Sequence, residues 1–268
     1  MKFIQISDIH YLEHYRKNAS GYKAVLPNMT NPLKHIEKLG KIVEKEPVDA
    51  IFITGDLIDD GTMRDYEILK QHFETCFRNI PIIIGPGNHD DHEALTQVFF
   101  NESMTSNHFN KVHDLDNLRI IYFDNTLDKS PTGSIIESQY EWLHKTLAQS
   151  EKPVILLTHH HLVKDQSQIP STPIDDKFVD LIANSHVVAI LCGHTHHAYT
   201  TLFANKLYTT SPSLSFQGYC NEKGQIIFEE NPGYQIIEYQ NNTVSIQTKY
   251  LKEKPIILPS SLDNDLGL

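Results

Sequence analysis

The sequence has few of the residues that would place it in several common classes of protein. Its 268 residues include three cysteines, Cys76, Cys192 and Cys220, and none are spaced as a metal knuckle. An odd number of scattered cysteines excludes a disulfide framework and favours a reducing, cytoplasmic location. The 12 glycines and 13 prolines are too few for a collagen-like or low-complexity chain.

Long apolar segments and basic residues are also scarce. No run of about 18 apolar residues occurs, so no transmembrane helix is expected, and the N-terminal residues turn polar too soon for a signal peptide. The 23 Lys and Arg against 34 Asp and Glu give a formal net charge of −11. That charge argues against a nucleic acid partner, because phosphate backbones are bound by basic surfaces. A homo-oligomer is compatible with all of these features.

The first two thirds of the chain alternate short β-branched segments with amphipathic ones. The apolar segments predict buried strands at Phe3–Ser7, Ala50–Thr54, Pro81–Gly85, Arg119–Asp124, Val154–Thr158 and Val187–Cys192. Helical spacing of apolar residues predicts helices at Pro32–Glu46, Asp65–Phe77, His92–Phe100, Ser138–Ala148 and Asp175–Asn184. Such alternation is typical of an α/β layered fold. Cys192, at the end of a predicted strand, is expected to be a core residue.

The last third has the pattern of a β-rich region. Strands are expected at Ala198–Leu202, Lys206–Thr210, Gln225–Phe228, Tyr234–Tyr239 and Thr243–Tyr250, with hairpin turns at Asn205-Lys206 and Asn241-Asn242. We predict one domain over residues 1–252 and an irregular surface tail over residues 253–268. Two segments, Tyr11–Asn31 and Ser211–Asn231, fit neither pattern, and loops of that length are often functional or mobile.

Residue types that bind metals follow five of the predicted strands. They occur in Ser7-Asp8-Ile9-His10, Thr54-Gly55-Asp56, Gly85-Pro86-Gly87-Asn88-His89-Asp90, Thr158-His159-His160-His161 and Gly193-His194-Thr195-His196-His197. The carboxyl ends of parallel strands meet at one edge of a sheet, so these side chains should lie close together. Each cluster alone could be a turn, a helix cap or a solvated strand end. Their order and common placement favour a two-metal site.

These five clusters, in this order, resemble the signature of the calcineurin-like metallophosphoesterases over about residues 3–197. The resemblance implies that family's fold, an α/β (α+β) four-layer αββα sandwich of two mixed sheets flanked by helices. It also implies a binuclear centre of two divalent metal ions at the sheet edge. The carboxylate, amide and imidazole side chains suit Mn, Fe, Co or Zn.

The resemblance assigns a role to each cluster. The first metal ion would be held by Asp8, His10, Asp56 and His196, and the second by Asp56, Asn88, His159 and His194. Asp56 would therefore bridge the two ions.

The resemblance also implies catalytic and substrate-binding residues. His89 matches the histidine that meets the substrate phosphate and the leaving group, and Asp90 would orient it. Asn88, His89 and His160 are the residues expected to contact substrate. In this mechanism two ions about 3.5–4 Å apart lower the pKa of a bridging water, and the resulting hydroxide attacks phosphorus.

Within that family, the sequence looks most similar to class III cyclic nucleotide phosphodiesterases and glycerophosphodiesterases. The similarity extends to Gly-Asn-His-Asp-Asp, Thr-His-His and Ser211-Pro212-Ser213. The predicted function is therefore hydrolysis of small phosphodiesters. A phosphomonoesterase or a nuclease with the same centre is an alternative, and a non-catalytic scaffold is another, although no motif residue is missing.

The two long irregular segments are candidates for the walls of the substrate site. Tyr15, Arg16 or Lys17 of the first could reach the substrate, and Tyr219 and Cys220 of the second could line it. A mobile surface loop is an equally good interpretation of the first segment.

Overall fold

The structure is a computed structural model that describes residues 1–106, 108–164, 166 and 168–259. Its strands are β1 (Lys2–Ile6), β2 (Ala50–Thr54), β3 (Ile82–Gly85), β4 (Lys111–Asp114), β5 (Arg119–Tyr122), β6 (Val154–Leu157), β7 (Val187–Cys192), β8 (Tyr199–Phe203), β9 (Lys206–Thr210), β10 (Gln217–Cys220), β11 (Ile226–Glu230), β12 (Gly233–Gln240), β13 (Thr243–Tyr250) and β14 (Ile256–Ile257). Its helices are α1 (Leu33–Lys45), α2 (Met63–Phe77), α3 (His92–Phe100), α4 (Glu137–Ala148) and α5 (Asp176–Ala183). Among the described residues, none of these helices is long and apolar enough to cross a membrane.

Most of the strands form two large mixed sheets. The first sheet has the order β13-β12-β1-β2-β3, in which β1, β2 and β3 are parallel. The second has the order β4-β5-β6-β7-β9-β8, in which β5, β6, β7 and β9 are parallel. Antiparallel strands complete one edge of the first sheet and both edges of the second. The predicted α/β fold with two mixed sheets and flanking helices is confirmed.

The side chains of β6 show how the layers are stacked. Ile155 and Leu157 belong to the apolar core shared with the first sheet, whereas Val154 and Leu156 pack with residues of α4 and α5. Successive residues of a strand point to opposite faces, so a strand that is apolar throughout is buried on both. Cys192 of β7 is fully buried in the apolar cluster that includes residues of α4 and α5, as expected for a core residue.

The structure contains strands that the apolar pattern does not predict. Strands β4 and β10 are short and partly polar, and β14 has only two residues. Strands β10, β11 and β14 form a third, three-stranded sheet. The expectation of an irregular tail is wrong for residues 256–258, because β14 pairs with β11 and Leu258 is buried. Residues 260–268 of that tail lie outside the described residues. The assignment of residues 1–252 as the domain stays a prediction.

One predicted hairpin turn is correct and the other is displaced by one residue. Asn241 and Asn242 have φ of 52° and 60°, as a type I′ turn requires. The turn between β8 and β9 is centred on Ala204 and Asn205, with φ of 51° and 61°. Lys206 instead pairs with Phe203 in the ladder, which shifts the turn toward the N-terminus.

A buried ion cluster joins the end of the Tyr11–Asn31 segment to α1 and to the third sheet. The carboxylate of Glu230, only 2% exposed, accepts hydrogen bonds from Thr30 N at 2.9 Å and from Lys252 Nζ at 2.6 Å. His35 Nε2 of α1 lies 3.1 Å from the same carboxylate. Breaking a buried charged network by removing one member leaves the others unpaired.

Glu230→Gln is expected to destabilise the fold in a pH-dependent way. Burial raises the pKa of Glu230, but the hydrogen bonds from His35, Lys252 and Thr30 outweigh burial and lower the pKa to about 2, from 4.5. A carboxylate whose pKa is lower in the folded than in the unfolded chain stabilises the folded protein at pH values above the unfolded pKa. That stabilisation is lost as pH falls from about 4.5 towards 2. We expect a loss of about 2–3 kcal/mol in unfolding free energy at pH 7.

Urea unfolding of wild type and Glu230→Gln at several pH values measures this difference. The difference should shrink steeply below pH 4. The exposed Glu238 provides the control, since Glu238→Gln should change the unfolding free energy by less than about 0.5 kcal/mol. A Glu230→Gln penalty that stays constant down to pH 2.5 would show that the carboxylate charge is not the cause.

Candidate metal centre

The turns that follow β1, β2 and β7 hold the backbone in an unusual conformation. Asp8, His10 and Asp56 have φ of 53°, 49° and 50°, and His194 and His196 have φ of 70° and 61°. A left-handed residue with a Cβ costs about 1–2 kcal/mol. The strain therefore coincides with five of the residues that the sequence singled out as metal ligands.

Two glycines of the clusters allow the loops to approach one another closely. Gly55 has φ of 92°, and a Cβ there would lie 2.4 Å from His159 Nδ1. A Cβ on Gly87 would lie 2.1 Å from Asp56 Oδ1. Both distances are far below van der Waals contact, so only glycine fits at either position.

The first group of candidate ligands consists of Asp8, His10 and His196, whose ligand atoms all lie within 4.8 Å of one another. His10 Nε2 and His196 Nε2 are 3.1 Å apart, and His196 Nε2 is 3.5 Å from Asp8 Oδ1. Asp56 Oδ2 lies 3.7 Å from His10 Nε2. The structure thus brings together the four side chains that the sequence predicts for the first metal ion.

The second group consists of Asp56, His159 and His194, again with ligand atoms within 4.8 Å of one another. His159 Nε2 lies 3.3 Å from Asp56 Oδ2 and 3.0 Å from Asn88 Oδ1. The same oxygen, Asp56 Oδ2, borders both groups. Asp56 is therefore placed where a bridging ligand would have to be.

The outer ring nitrogen of each of the four histidines is held by a protein acceptor. A carbonyl or carboxylate partner keeps the proton on the outer nitrogen and leaves the other nitrogen with a lone pair for a cation. Such a set of nitrogen and oxygen donors, without thiolate, fits a divalent metal of the Mn, Fe, Co or Zn kind. The four pairs are His10 Nδ1 with Asp59 Oδ2 at 3.2 Å, His159 Nδ1 with Thr54 O at 2.7 Å, His194 Nε2 with Pro131 O at 2.9 Å and His196 Nδ1 with Phe216 O at 2.7 Å.

The charges of the site also favour a cation. Burial raises the pKa of Asp8 to about 6. Burial would raise that of Asp56 too, but the neighbouring charges, His159 above all, hold it well below 3.8. Burial holds the pKa values of His194 and His196 well below 6.5, so both are neutral, as metal ligands must be. Burial lowers the pKa values of His10 and His159, but the carboxylates of Asp59 and Asp56 outweigh burial and raise both to about 9. A bound cation would replace the protons on these two rings.

Residues of the second irregular segment, Ser211–Asn231, form hydrogen bonds with the backbone of the first ligand group. Ser213 Oγ and Ser215 Oγ each donate a hydrogen bond of 2.8 Å to the backbone carbonyl of Asp8. The carboxylate of Asp8 accepts a bond of 3.1 Å from His194 N. The strained turn after β1 is thereby held by residues more than 180 positions away.

His89 lies beside both groups, and its contacts differ from those expected. His89 N donates to Asp56 Oδ1 at 2.9 Å, and its ring Nδ1 lies 3.2 Å from Tyr22 Oη. The Asp90 carboxylate instead accepts hydrogen bonds from Gly87 N, Leu57 N, Ile58 N and Tyr66 Oη. None of these four bonds reaches His89, so the direct partner of the His89 ring is Tyr22. The catalytic role of Asp90 stays a prediction.

The three consecutive histidines are all fully buried, which excludes a solvated strand end. The His160 ring lies 4.2 Å from that of His194, and its Nε2 is 3.2 Å from Ser130 O. Burial and the charge of His159 lower the pKa of His160 to about 3. His160 therefore packs as a neutral ring against His194, and its contact with substrate stays a prediction.

The segment Tyr11–Asn31 covers one side of this centre. Tyr15 Oη donates to His10 O at 3.0 Å, and Lys23 Nζ lies 3.3 Å from Asp59 Oδ1. Arg16 and Lys17, the other residues named from the sequence, are exposed. Sequence reasoning missed Tyr22, Lys23 and Asp59, because no period or motif distinguishes them from ordinary loop residues.

A cavity of about 440 Å³ lies between that segment and Asp59, and its lining includes neither the candidate metal ligands nor His89. Its lining includes Tyr15, Lys23, Asp59 and Lys129, which come from three different loops. Tyr219 and Cys220, by contrast, are exposed on β10, and neither lines this cavity. The cavity is large enough for part of a small ligand.

Known proteins match this chain in sequence and in structure. A family model described as calcineurin-like phosphoesterase matches residues 1–198. A probable glycerophosphodiester phosphodiesterase of Arcobacter nitrofigilis is 29% identical over 225 residues, which cover 81% of this chain and 80% of that protein. A probable cyclic nucleotide phosphodiesterase of Rhodococcus erythropolis is 32% identical over 162 residues, which cover 58% of this chain and 54% of that protein.

Among solved structures, a dimetal phosphatase from Danio rerio aligns over 92% of this chain and 98% of its own. The TM-score is 0.63 and the sequence identity is 12%. Similarity at that identity shows a shared fold.

Proposed function

The chain belongs to the calcineurin-like phosphoesterase family, and on that premise we propose that it is a metal-dependent hydrolase of small phosphodiesters. The observation that supports this most strongly is the convergence of carboxylate and imidazole groups from both sheets. Each histidine there has its outer nitrogen held by a protein acceptor, which is the arrangement of a metal-binding histidine.

We propose that two divalent cations bind at these groups. The first would be held by Asp8, His10, Asp56 and His196, and the second by Asp56, Asn88, His159 and His194. Bound there, the ions would polarise the phosphoryl oxygens and lower the pKa of a water molecule.

His89 would act on the phosphate and on the leaving alcohol. Its backbone is anchored to Asp56 and its Nδ1 faces Tyr22, so Nε2 is the ring nitrogen available to a substrate. From that position the imidazolium form of the ring can donate its Nε2–H to a phosphoryl oxygen, or transfer that proton to the departing alkoxide and become a neutral ring with its proton on Nδ1. Asn88 and His160 would complete the set of side chains near the substrate.

The proposed substrate class is a small phosphodiester, such as a glycerophosphodiester or a cyclic nucleotide. The two relatives described above carry those two names. A formal net charge of −11 disfavours a long polyanion as substrate.

A panel of phosphate esters tests this proposal. With Mn²⁺ added, we expect bis-p-nitrophenyl phosphate and at least one cyclic nucleotide or glycerophosphodiester to be cleaved more than about tenfold faster than p-nitrophenyl phosphate or DNA. Chelation should abolish turnover and renewed addition of metal should restore it, because the ligands hold exchangeable ions.

Three results would contradict the proposal and identify its replacement. Cleavage of monoesters alone would indicate a phosphomonoesterase, and preference for DNA would indicate a nuclease. Tight metal binding without cleavage of any ester would indicate a non-catalytic scaffold of the same fold.

A further inference from the structure

Tyr22, which lies outside all five clusters, packs directly against the candidate centre. It belongs to a 3₁₀ turn at Gly21–Ala24, and its half-buried ring stacks on Phe216 at 6.0 Å with an interplanar angle of 16°. The same ring meets the ring of His89 edge to face at 5.7 Å. These contacts hold the phenol in one place, so the direction of its hydroxyl group is well defined.

The hydrogen bonds around the hydroxyl can be assigned a direction. Tyr22 Oη lies 3.1 Å from Asp59 Oδ1 and 3.2 Å from His89 Nδ1. A phenol has one hydrogen to donate, and an ionised carboxylate can only accept. The Tyr22 hydrogen therefore goes to Asp59, and a lone pair of Oη accepts the Nδ1–H of His89.

Asp59 is held as an anion by its surroundings. Its side chain is fully buried, and its other oxygen, Oδ2, lies 3.2 Å from His10 Nδ1. Lys23 Nζ lies 3.3 Å from Oδ1 of the same carboxylate. A buried carboxylate that lies between an ammonium group and two hydrogen-bond donors is stabilised in its charged form.

We propose that Tyr22 is a positioning residue for His89. It is the last link of a hydrogen-bonded chain that runs from His10 through Asp59 and Tyr22 to His89 Nδ1. Through this chain the protein fixes the proton on Nδ1 and turns Nε2 towards the substrate. The chain links a candidate ligand of the first metal ion to the candidate acid. The inference rests on the role proposed above for His89.

A different role for Tyr22 makes different predictions. If the ring served only to stack against the substrate, its hydroxyl would be dispensable and loss of Tyr22 would raise KM. A positioning hydroxyl acts in the chemical step, so its loss should lower kcat with little change in KM.

The kinetic test is a double-mutant cycle of Tyr22→Phe and His89→Ala. Tyr22→Phe removes only the hydroxyl group and keeps the ring and its stacking on Phe216. Tyr22→Phe is expected to lower kcat about tenfold with less than a twofold change in KM, and to have almost no effect when His89 is already alanine. Tyr140→Phe on α4 is the matched control for loss of a phenol hydroxyl elsewhere, and metal content and Tm are measured for every variant. An equal Tyr22→Phe penalty in both backgrounds, or a penalty confined to KM, would overturn the proposal.

A second readout does not depend on turnover. In ¹⁵N-histidine-labelled protein at alkaline pH, with and without Zn²⁺, His89 should carry its proton on Nδ1, and Tyr22→Phe should weaken or abolish that preference. The His89 signal is identified by its loss in His89→Ala. An unchanged tautomer pattern in Tyr22→Phe would overturn the inference, whether or not the protein cleaves diesters. If the panel of esters fails while the tautomer changes, the proposed reaction is wrong and the hydrogen-bonded chain stands.

Discussion

Asp56→Ala is expected to remove bound metal from both positions of the centre and to lower turnover by about 10³-fold or more. Asp56 Oδ2 lies 3.7 Å from His10 Nε2 and 3.3 Å from His159 Nε2, so one oxygen serves both groups of ligands. Among the described residues, no other carboxylate oxygen lies within 4 Å of histidine ring nitrogens from both groups. Each ion would lose an anionic ligand at the same time.

The loss of Asp56 should also disturb His89, because Asp56 Oδ1 accepts the backbone hydrogen bond of His89. Elemental analysis after gel filtration, together with kcat on bis-p-nitrophenyl phosphate, measures both effects. Asp116→Ala, at an exposed loop position, should retain two ions per chain and full turnover. An Asp56→Ala protein that still holds two ions per chain would contradict the bridging role.

Asp56→Asn separates charge from shape at the same position. The amide retains an oxygen that can coordinate an ion but loses the negative charge, so we expect weakened binding at both positions and less complete loss than in Asp56→Ala.

His89→Ala is expected to lower kcat by about 10²-fold or more and to leave both metal ions bound. His89 belongs to neither of the two groups that we propose as metal sites, and its Nδ1 is occupied by Tyr22. A general acid is needed most when the leaving alkoxide is a strong base. The penalty should therefore be larger for an alkyl diester than for bis-p-nitrophenyl phosphate.

Kinetics on both esters, with metal content measured alongside, test this role. His144→Ala provides the control, since His144 is exposed on α4, away from the centre. Turnover that is unchanged in His89→Ala would show that His89 is not the acid. An equal loss of kcat on both esters would indicate that His89 stabilises the phosphoryl oxygens.

Much of the site was predictable because its residues follow parallel strands. Asp8, Asp56 and His159 each lie two residues beyond the end of β1, β2 or β6. Parallel strands of one sheet end at a common edge, which brings the residues after β1 and β2 together in the first sheet and those after β6 and β7 together in the second. The meeting of these two edges depends on how the sheets are stacked. The apolar pattern located the strands to within one or two residues, which was sufficient to place the clusters.

The strands that sequence reasoning missed lie where the local pattern is weak. Strand β4 is largely polar, and β14 has two exposed isoleucines at the edge of a small sheet. Such strands are stabilised by their pairing partners, and no feature of their own residues requires an extended conformation.

The sequence by itself determined the donor types, their order and the sheet edge at which they gather, because these depend on periodicity and on chain neighbours. Only the tertiary structure decided which groups hold the donors in place. Tyr22 reaches His89 across 67 residues, and the carbonyl of Pro131 reaches His194 across 63. Contacts of this kind depend on the path of irregular loops and on left-handed turns such as that at Asp8, and loop paths have no repeating pattern from which they could be read.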